Sequence, residues 1–186
     1  MKLADALHGA VKSAYLLSAR AGLRPGEAVA LKWGDVDLEA RQITVSRHVP
    51  WGEEGPMIVV VARKVPIVEP LARHLSSVRP SPRMDNALVC APPRRKKKNA
   101  TSGPHSATYL APNTIRAELA RAFKATGIAP GDFYDYGRHT FASLAALGGA
   151  PAWRLQEVLG DAGIDRALEY VSLRQQQPMG VAPAAV

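Results

Sequence analysis

The spacing of apolar residues changes twice along this 186-residue chain, from a helical period to alternation and back. Apolar side chains recur every three or four residues from Leu3 to Leu17 and again in residues 115–123, which predicts amphipathic helices. Between them, residues 41–49 alternate polar and apolar side chains and residues 57–62 extend the strand signal. This order predicts an α+β fold in which helices dominate and a small antiparallel sheet lies between Arg41 and about Ile67.

Glycine, proline and capping residues mark the ends of the predicted helices. The first helix is expected to end at Gly22, and a short second helix begins at Pro25. Residues 87–91 are predicted to form a short buried strand or an extended segment. Two further helices are predicted at residues 69–78 and from a cap at Asn113 to Gly127. Three more follow: one begins near Arg138, the next begins at Pro151, and the last ends near Tyr170.

The length and composition favour one domain over residues 1–173. Residues 92 to about 112 are rich in proline, serine and lysine, and we expect a mobile basic loop there. Residues 174–186 lack a helical or strand pattern, and we expect a disordered tail. The loop contains five consecutive cations, which are Arg94, Arg95, Lys96, Lys97 and Lys98.

The formal net charge of +8 favours a polyanionic partner, although a basic protein without such a partner has the same charge. Cys90 is the single cysteine, which excludes an internal disulfide framework. The N-terminal segment has polar residues at a helical period, and no apolar run approaches the length of a membrane span. We therefore expect a soluble, cytoplasmic protein that is not bound to a membrane.

Two segments carry a resemblance to a known family. The first, "AGLRPGEAVALKWGDVDLEARQITV", and the second, "YGRHTFASLAALGGAPAWRLQEVLGDAGIDRALEYVSL", resemble the two signatures of the tyrosine recombinase, or phage integrase, family. The resemblance extends from the first helix through Tyr170. It implies a mainly helical catalytic domain with a three-stranded antiparallel sheet, without the core-binding domain that usually precedes it.

The resemblance also implies a chemistry for the matching residues. Arg24 and Arg138 match the arginines that hold the scissile phosphate, Tyr170 matches the nucleophile, and Glu27 matches a supporting carboxylate. Two guanidiniums can bind the non-bridging oxygens of one phosphate and stabilise the transition state. The implied activity is DNA recombination or integration of a mobile element through a 3′-phosphotyrosyl intermediate, with no metal or cofactor. The implied partner is double-stranded DNA, and the resemblance implies an oligomer on DNA. Because the tail after Leu173 is short and rich in glutamine, proline and alanine, we expect a monomer in the absence of DNA.

Three positions depart from the family pattern. Asp135 and Asp161 stand where histidine, or for the second also tryptophan, is usual, and the hairpin lacks its lysine, for which Arg63 and Lys64 are the nearest candidates. A carboxylate facing the phosphate opposes the arginines, so we expect impaired catalysis. Alternatively, the two acids point away, cap helices or pair with the arginines; for Asp161 an N-cap is favoured. His139 is expected to have a structural role.

Two other functions stay open. A non-catalytic DNA-binding relative or regulator would keep the fold and the basic surface, and the two acids favour it. A helix-turn-helix transcription regulator would use residues 151–171 for DNA, but it leaves the first signature unexplained. The run from Arg94 to Lys98 is either a solvated charge run or a contact to the DNA backbone.

Overall fold

The computed structural model describes residues 2–50, 58–82, 84–92 and 109–175, with the side chains of 58–61 and 173–175 left out. These ranges contain helices packed around a three-stranded sheet. None of the described helices has the length and apolar composition needed to span a bilayer. In chain order, the elements are α1 (Lys2–Asp5), α2 (Gly9–Ala21), α3 (Pro25–Ala30), a 3₁₀ turn (Trp33–Asp35), β1 (Val36–Asp37), β2 (Gln42–His48), β3 (Ile58–Pro66), α4 (Glu69–Val78), α5 (Pro112–Thr126), a π-helical turn (Asp135–His139), α6 (Thr140–Leu147), α7 (Ala152–Leu159) and α8 (Asp165–Gln175).

The sheet confirms the predicted antiparallel hairpin and adds a short first strand. Strands β2 and β3 pair antiparallel, and β1 pairs antiparallel with the other side of β2. Ile43, Val45 and Val65 are buried, as the alternation requires. The segment at residues 87–91, predicted as a short buried strand or extended, forms only a single bridge between Leu88 and Lys32, and buried Val89 and Cys90 lie in a turn. One face of the sheet therefore belongs to the core.

Helix α2 lies at the centre of the main core, where it packs against α3, α4, α6 and the π-helical turn. Leu17 is fully buried, as are other residues of its apolar face. A second, smaller cluster joins α6, α7 and α8 through Ala146, Leu155 and Ala167, with Tyr170 partly buried against it. Because small side chains bury little apolar area, α8 gains less hydrophobic stabilisation than α2.

Several helix boundaries differ from the prediction. The expected first helix is interrupted, since α1 ends at Asp5 and α2 begins at Gly9, whose φ of +51° is a left-handed conformation that glycine tolerates. Gly22 and Gly127 end α2 and α5 with φ values of 69° and 68°, as predicted. Both helix ends follow from local sequence, because a left-handed residue terminates the hydrogen-bond ladder.

Three other boundaries were also wrong. Helix α5 begins at Pro112, which suits a first turn, and the Asn113 side chain accepts a hydrogen bond from Arg116 instead of capping. The helical segment expected near Arg138 starts earlier, in the π-helical turn. Helix α8 continues to Gln175, so the first two residues of the expected tail are helical. Residues 176–186 lie outside the described residues.

Gly26 allows α3 to lie against the end of β2. A Cβ at this position would lie 2.0 Å from the Val49 carbonyl oxygen, while the Val49 N–H donates a 3.0 Å hydrogen bond to the Gly26 carbonyl. We expect Gly26→Ala to lower the free energy of unfolding by about 1–3 kcal/mol in urea denaturation, because backbone must move. The control is Gly163→Ala, whose Cβ would meet its nearest atom at 3.5 Å. Equal effects of the two substitutions would contradict this contact.

Candidate functional site

Arg24 lies at the entrance of α3, where the chain turns out of α2. Pro25 occupies the first turn of the helix, and the Arg24 backbone is extended, with φ −65° and ψ 153°. The Glu27 carboxylate accepts a 2.8 Å hydrogen bond from the Arg24 backbone N–H. The Arg24 side chain is 39% exposed. The turn therefore fixes the backbone and leaves the guanidinium accessible.

Arg138 lies in the π-helical turn and is almost fully buried. Its Nη1 donates a 2.8 Å hydrogen bond to the Gly22 carbonyl at the end of α2. Gly137 permits this close approach, because a Cβ there would lie 2.3 Å from Ser18 Oγ. Burial and the charge of Arg24 lower the pKa of Arg138, and the charge of Asp161 opposes them. Arginine remains charged in proteins, so this buried group needs an anionic partner.

Asp161, in the connection between α7 and α8, is that partner. Its Oδ1 accepts a 2.7 Å hydrogen bond from Arg24 Nη2 and a 2.8 Å hydrogen bond from Arg138 Nη2. The Gly160 carbonyl accepts a further hydrogen bond of 3.2 Å from Arg24 Nη2. The two arginines of the two signatures therefore converge, and they do so on one carboxylate oxygen of the same chain.

A third guanidinium, that of Arg63 on β3, completes the network. Arg63 donates two hydrogen bonds, of 2.8 Å and 2.7 Å, to the two oxygens of Glu27. Its Nε donates another, of 2.8 Å, to the Val158 carbonyl on α7. Arg24 Nη1 donates to Glu27 Oε1 at 3.1 Å. Glu27 is 3% exposed, so a buried carboxylate joins α3 to β3 and holds both cations.

The pKa of Glu27 reflects this environment. Burial alone would raise it, but the hydrogen bonds and charges of Arg63 and Arg24 outweigh burial and lower the pKa below its usual value. Glu27 is therefore ionised at neutral pH.

Arg63 and Lys64, the two candidates for the missing hairpin lysine, lie on opposite faces of β3. Arg63 is in phase with buried Val65 and reaches the site, whereas Lys64 is exposed. The pairing of Arg63 with Glu27 was not predicted from the sequence. The signal for it was the alternation of β3, which places Arg63 on the face that packs against the core.

Tyr170 lies on α8, close to the π-helical turn. Its hydroxyl group is hydrogen-bonded to His139 Nδ1, and the Tyr134 ring packs edge-on against the His139 ring at a centroid distance of 4.7 Å. Burial and Tyr134 raise the pKa of Tyr170, while the charge of Arg138 opposes them. The phenol is therefore protonated at neutral pH, and it needs a base to become a nucleophile.

The two acids that depart from the family pattern have different surroundings. Asp161 was expected to cap the last helix, and this prediction is wrong because α8 begins at Asp165. Instead, Asp161 pairs with both arginines, which was one of the stated alternatives. Asp135 is 63% exposed, and its Oδ1 lies 4.0 Å from His139 Nε2. Within the described part of the chain, no hydrogen bond or ion pair connects Asp135 to Arg24 or Arg138.

A cavity of about 700 Å³ opens over the network. The charged residues that line it are two arginines, Arg24 and Arg63, and three acids, Glu27, Glu157 and Asp161, so the lining carries one net negative charge. Arg138 belongs to the network and pairs with Asp161, but it does not line the cavity. The residues that line the cavity and take part in the network are Arg24, Glu27, Arg63 and Asp161.

Some predicted contacts cannot be placed. The five cations from Arg94 to Lys98 and the tip of the β2–β3 hairpin, residues 51–57, lie outside the described residues. The contact of the cations with the DNA backbone therefore stays a prediction.

Comparison with known proteins supports the resemblance read from the two signatures. No family model matches the chain. A curated protein of Caldanaerobacter subterraneus subsp. tengcongensis, described as tyrosine recombinase XerC-like, is 26% identical over 185 residues, covering 88% of this chain and 46% of that protein. The chain thus spans about half the length of this curated relative.

Solved structures share the fold. XerA recombinase matches 94% of this chain and 60% of its own, with a TM-score of 0.68 and 24% identity. The Tn1549 transposon integrase, solved in complex with circular intermediate DNA, matches 86% of this chain and 54% of its own, with a TM-score of 0.64 and 20% identity. A lambda integrase dimer bound to a core site matches with a TM-score of 0.58 and 17% identity. The predicted fold class is confirmed, and the similarity to tyrosine recombinases agrees with the resemblance of the two signatures.

Proposed function

We propose that this chain, which has the fold of a tyrosine recombinase catalytic domain, transfers DNA strands through a covalent bond to Tyr170. The observation that carries the proposal is the convergence of Arg24 Nη2 and Arg138 Nη2 on one oxygen, Asp161 Oδ1, at 2.7 Å and 2.8 Å. A non-bridging phosphate oxygen at that point would accept the same two charged hydrogen bonds. The DNA complexes of the Tn1549 and lambda integrases support double-stranded DNA as the partner.

Each residue has a distinct part in the proposed reaction. Arg24 and Arg138 hold the phosphate and stabilise the charge that develops on its oxygens. The Tyr170 oxygen attacks phosphorus, so that a phosphotyrosyl bond forms as the bond to the 5′ oxygen breaks. Glu27, which contacts Arg24 and Arg63, positions the exposed arginine. The covalent bond conserves the energy of the phosphodiester, and rejoining is the reverse attack.

Asp161 is expected to keep this activity low. Its carboxylate already accepts hydrogen bonds from both phosphate-binding guanidiniums, so a DNA phosphate has to displace it. Lys64 is exposed on the other face of β3 and is not placed to protonate the leaving oxygen. These two observations favour a second candidate, a DNA-binding relative without catalysis.

A covalent trap tests the proposal. The substrate is a pool of 5′-labelled DNA duplexes with a nick beside randomised sequence. After cleavage, the short fragment between the cut and the nick is lost, so rejoining is prevented and the labelled strand stays on the protein as the phosphotyrosyl adduct. We expect a trace of adduct from the wild-type chain and none from Tyr170→Phe, because only the phenol oxygen can form the bond. The measurement is transfer of label to protein in a denaturing gel.

The control is Tyr136→Phe, which removes a hydroxyl that donates a hydrogen bond to the Ala129 carbonyl. Label that persists in Tyr170→Phe would overturn the assignment of the nucleophile. DNA binding without label, in the wild type and after replacement of Asp161, would favour the non-catalytic relative. A helix-turn-helix regulator is less well supported, since the connection from α7 to α8 supplies Asp161 to the two arginines.

A further inference from the structure

His139 lies between the proposed nucleophile and an acid. Its Nδ1 is hydrogen-bonded to the Tyr170 hydroxyl, and its Nε2 lies 4.0 Å from Asp135 Oδ1. The Tyr134 ring packs edge-on against the imidazole at 4.7 Å and restricts its rotation. The imidazole of the π-helical turn therefore lies between an acid of the same turn and a phenol from α8.

This order of groups favours one tautomer of the imidazole. A carboxylate near Nε2 favours the proton on that nitrogen, which leaves Nδ1 as an acceptor. The Tyr170 hydroxyl is the donor to it. At 4.0 Å the contact of Asp135 is an electrostatic one and longer than a hydrogen bond, so its effect on the tautomer is modest.

We propose that His139 Nδ1 accepts the phenolic proton of Tyr170 during attack, and that Asp135 orients the imidazole from the opposite side. The inference rests on the proposed strand transfer. It assigns a catalytic role to a histidine that the sequence analysis expected to be structural. It also gives Asp135 a function away from the phosphate, as a positioning residue.

The proposed step balances. The bond from Tyr170 Oη to phosphorus forms, the bond from phosphorus to the 5′ oxygen breaks, and the phenolic proton passes to His139 Nδ1. A solvent water supplies a proton to the leaving 5′ oxygen, and the imidazolium returns its proton to solvent. The reverse reaction uses the same groups, with the neutral phenol restored on departure of Tyr170.

The test compares rates of adduct formation on the nicked pool across pH in the wild type, His139→Ala and His139→Gln. We expect a loss of about 100-fold for both variants near neutral pH, since general base catalysis contributes at least this factor.

The charged or titratable groups that face His139 come from two elements. Asp135 and Tyr134 belong to the π-helical turn and the residue before it, and Tyr170 belongs to α8, as does Arg166, which donates a hydrogen bond to the Tyr134 hydroxyl.

The shape of the pH profile separates catalysis from structure. The wild-type rate should rise until the imidazole is neutral and then level off, whereas the His139→Ala rate should keep rising with hydroxide. Added imidazole should restore part of the His139→Ala rate and leave Tyr170→Phe inactive. His8→Ala, which removes an exposed imidazole that contacts Glu118, is the matched control and should keep the wild-type rate and profile.

Each outcome separates the inference from the function on which it rests. If wild-type adduct is too scarce for rates, the same series is made with Asp161→Asn. Adduct whose rate and pH profile are unchanged in folded His139→Ala overturns the role of His139 and leaves strand transfer standing. DNA binding without adduct in either background overturns strand transfer, and the role of His139 with it.

Discussion

Asp161→Asn is expected to raise the rate of adduct formation by about 10- to 100-fold, because it removes a competing charge from the two phosphate-binding arginines. In the wild type, Asp161 Oδ1 accepts one charged hydrogen bond from Arg24 and one from Arg138. Asparagine keeps the shape and a neutral acceptor, but it binds the guanidiniums less strongly than a phosphate does. The measurement is the labelled adduct on the nicked pool.

The same substitution should weaken the folded chain without DNA. Arg138 is 2% exposed at its side chain, and its main anionic partner would be lost. An anion that enters the vacated position should compensate, because a ligand that binds only the folded state stabilises it. Inorganic sulfate should therefore raise the melting temperature of Asp161→Asn more than that of the wild type.

A matched variant makes this comparison specific. Asp165→Asn removes the same charge four residues later, from an exposed position at the start of α8. It should change neither the adduct rate nor the response to sulfate. If Asp161→Asn binds DNA, gains no adduct and responds to sulfate as the wild type does, then Asp161 does not compete with phosphate at the arginine pair.

The sequence predicted the elements whose signals are local. Helix ends at Gly22 and Gly127 follow from the left-handed conformation that glycine adopts, and the β2–β3 hairpin follows from its alternation. The interruption before Gly9 was missed, because the apolar spacing from Leu3 to Leu17 continues through it. A periodic pattern does not reveal a break that keeps the same face buried.

Contacts within the site depended on how distant segments pack. The resemblance brought Arg24 and Arg138 together as a pair, but the sequence left three alternatives for Asp161, and the favoured N-cap was wrong. The ion pair prevails because Arg138 is buried and needs an anion, a condition that the fold creates. The pairing of Glu27 with Arg63 likewise requires β3 to lie beside α3 and α7.

Glu27→Gln is expected to lower the free energy of unfolding by about 3 kcal/mol, since removal of one partner leaves buried charge uncompensated. Glu27 is 3% exposed and accepts hydrogen bonds from the Arg24 backbone, the Arg24 guanidinium and the Arg63 guanidinium. Glutamine supplies one acceptor oxygen and an amide that faces the guanidinium donors. Urea denaturation at neutral pH measures the loss.

The chain provides a matched control for this ion pair. Arg154 and Glu157 have the same spacing as Arg24 and Glu27, with Arg154 Nη1 2.6 Å from Glu157 Oε2, but their side chains are 49% and 56% exposed. Exposed pairs contribute about 0–1 kcal/mol, so Glu157→Gln should have little effect on stability. Equal losses for Glu27→Gln and Glu157→Gln would show that burial adds nothing to the network.

The pH dependence of stability gives the same residue a second, independent test. The pKa of Glu27 in the folded chain lies below its unfolded value of 4.5. Its contribution is therefore fully present above that value and is lost as pH falls through the lowered folded pKa. Below pH 4.5, the wild type should lose stability more steeply than Glu27→Gln, and the two curves should converge once the pH lies below the lowered folded pKa. Parallel curves would mean that the pairing of Glu27 with Arg63 and Arg24 does not stabilise its ionised form.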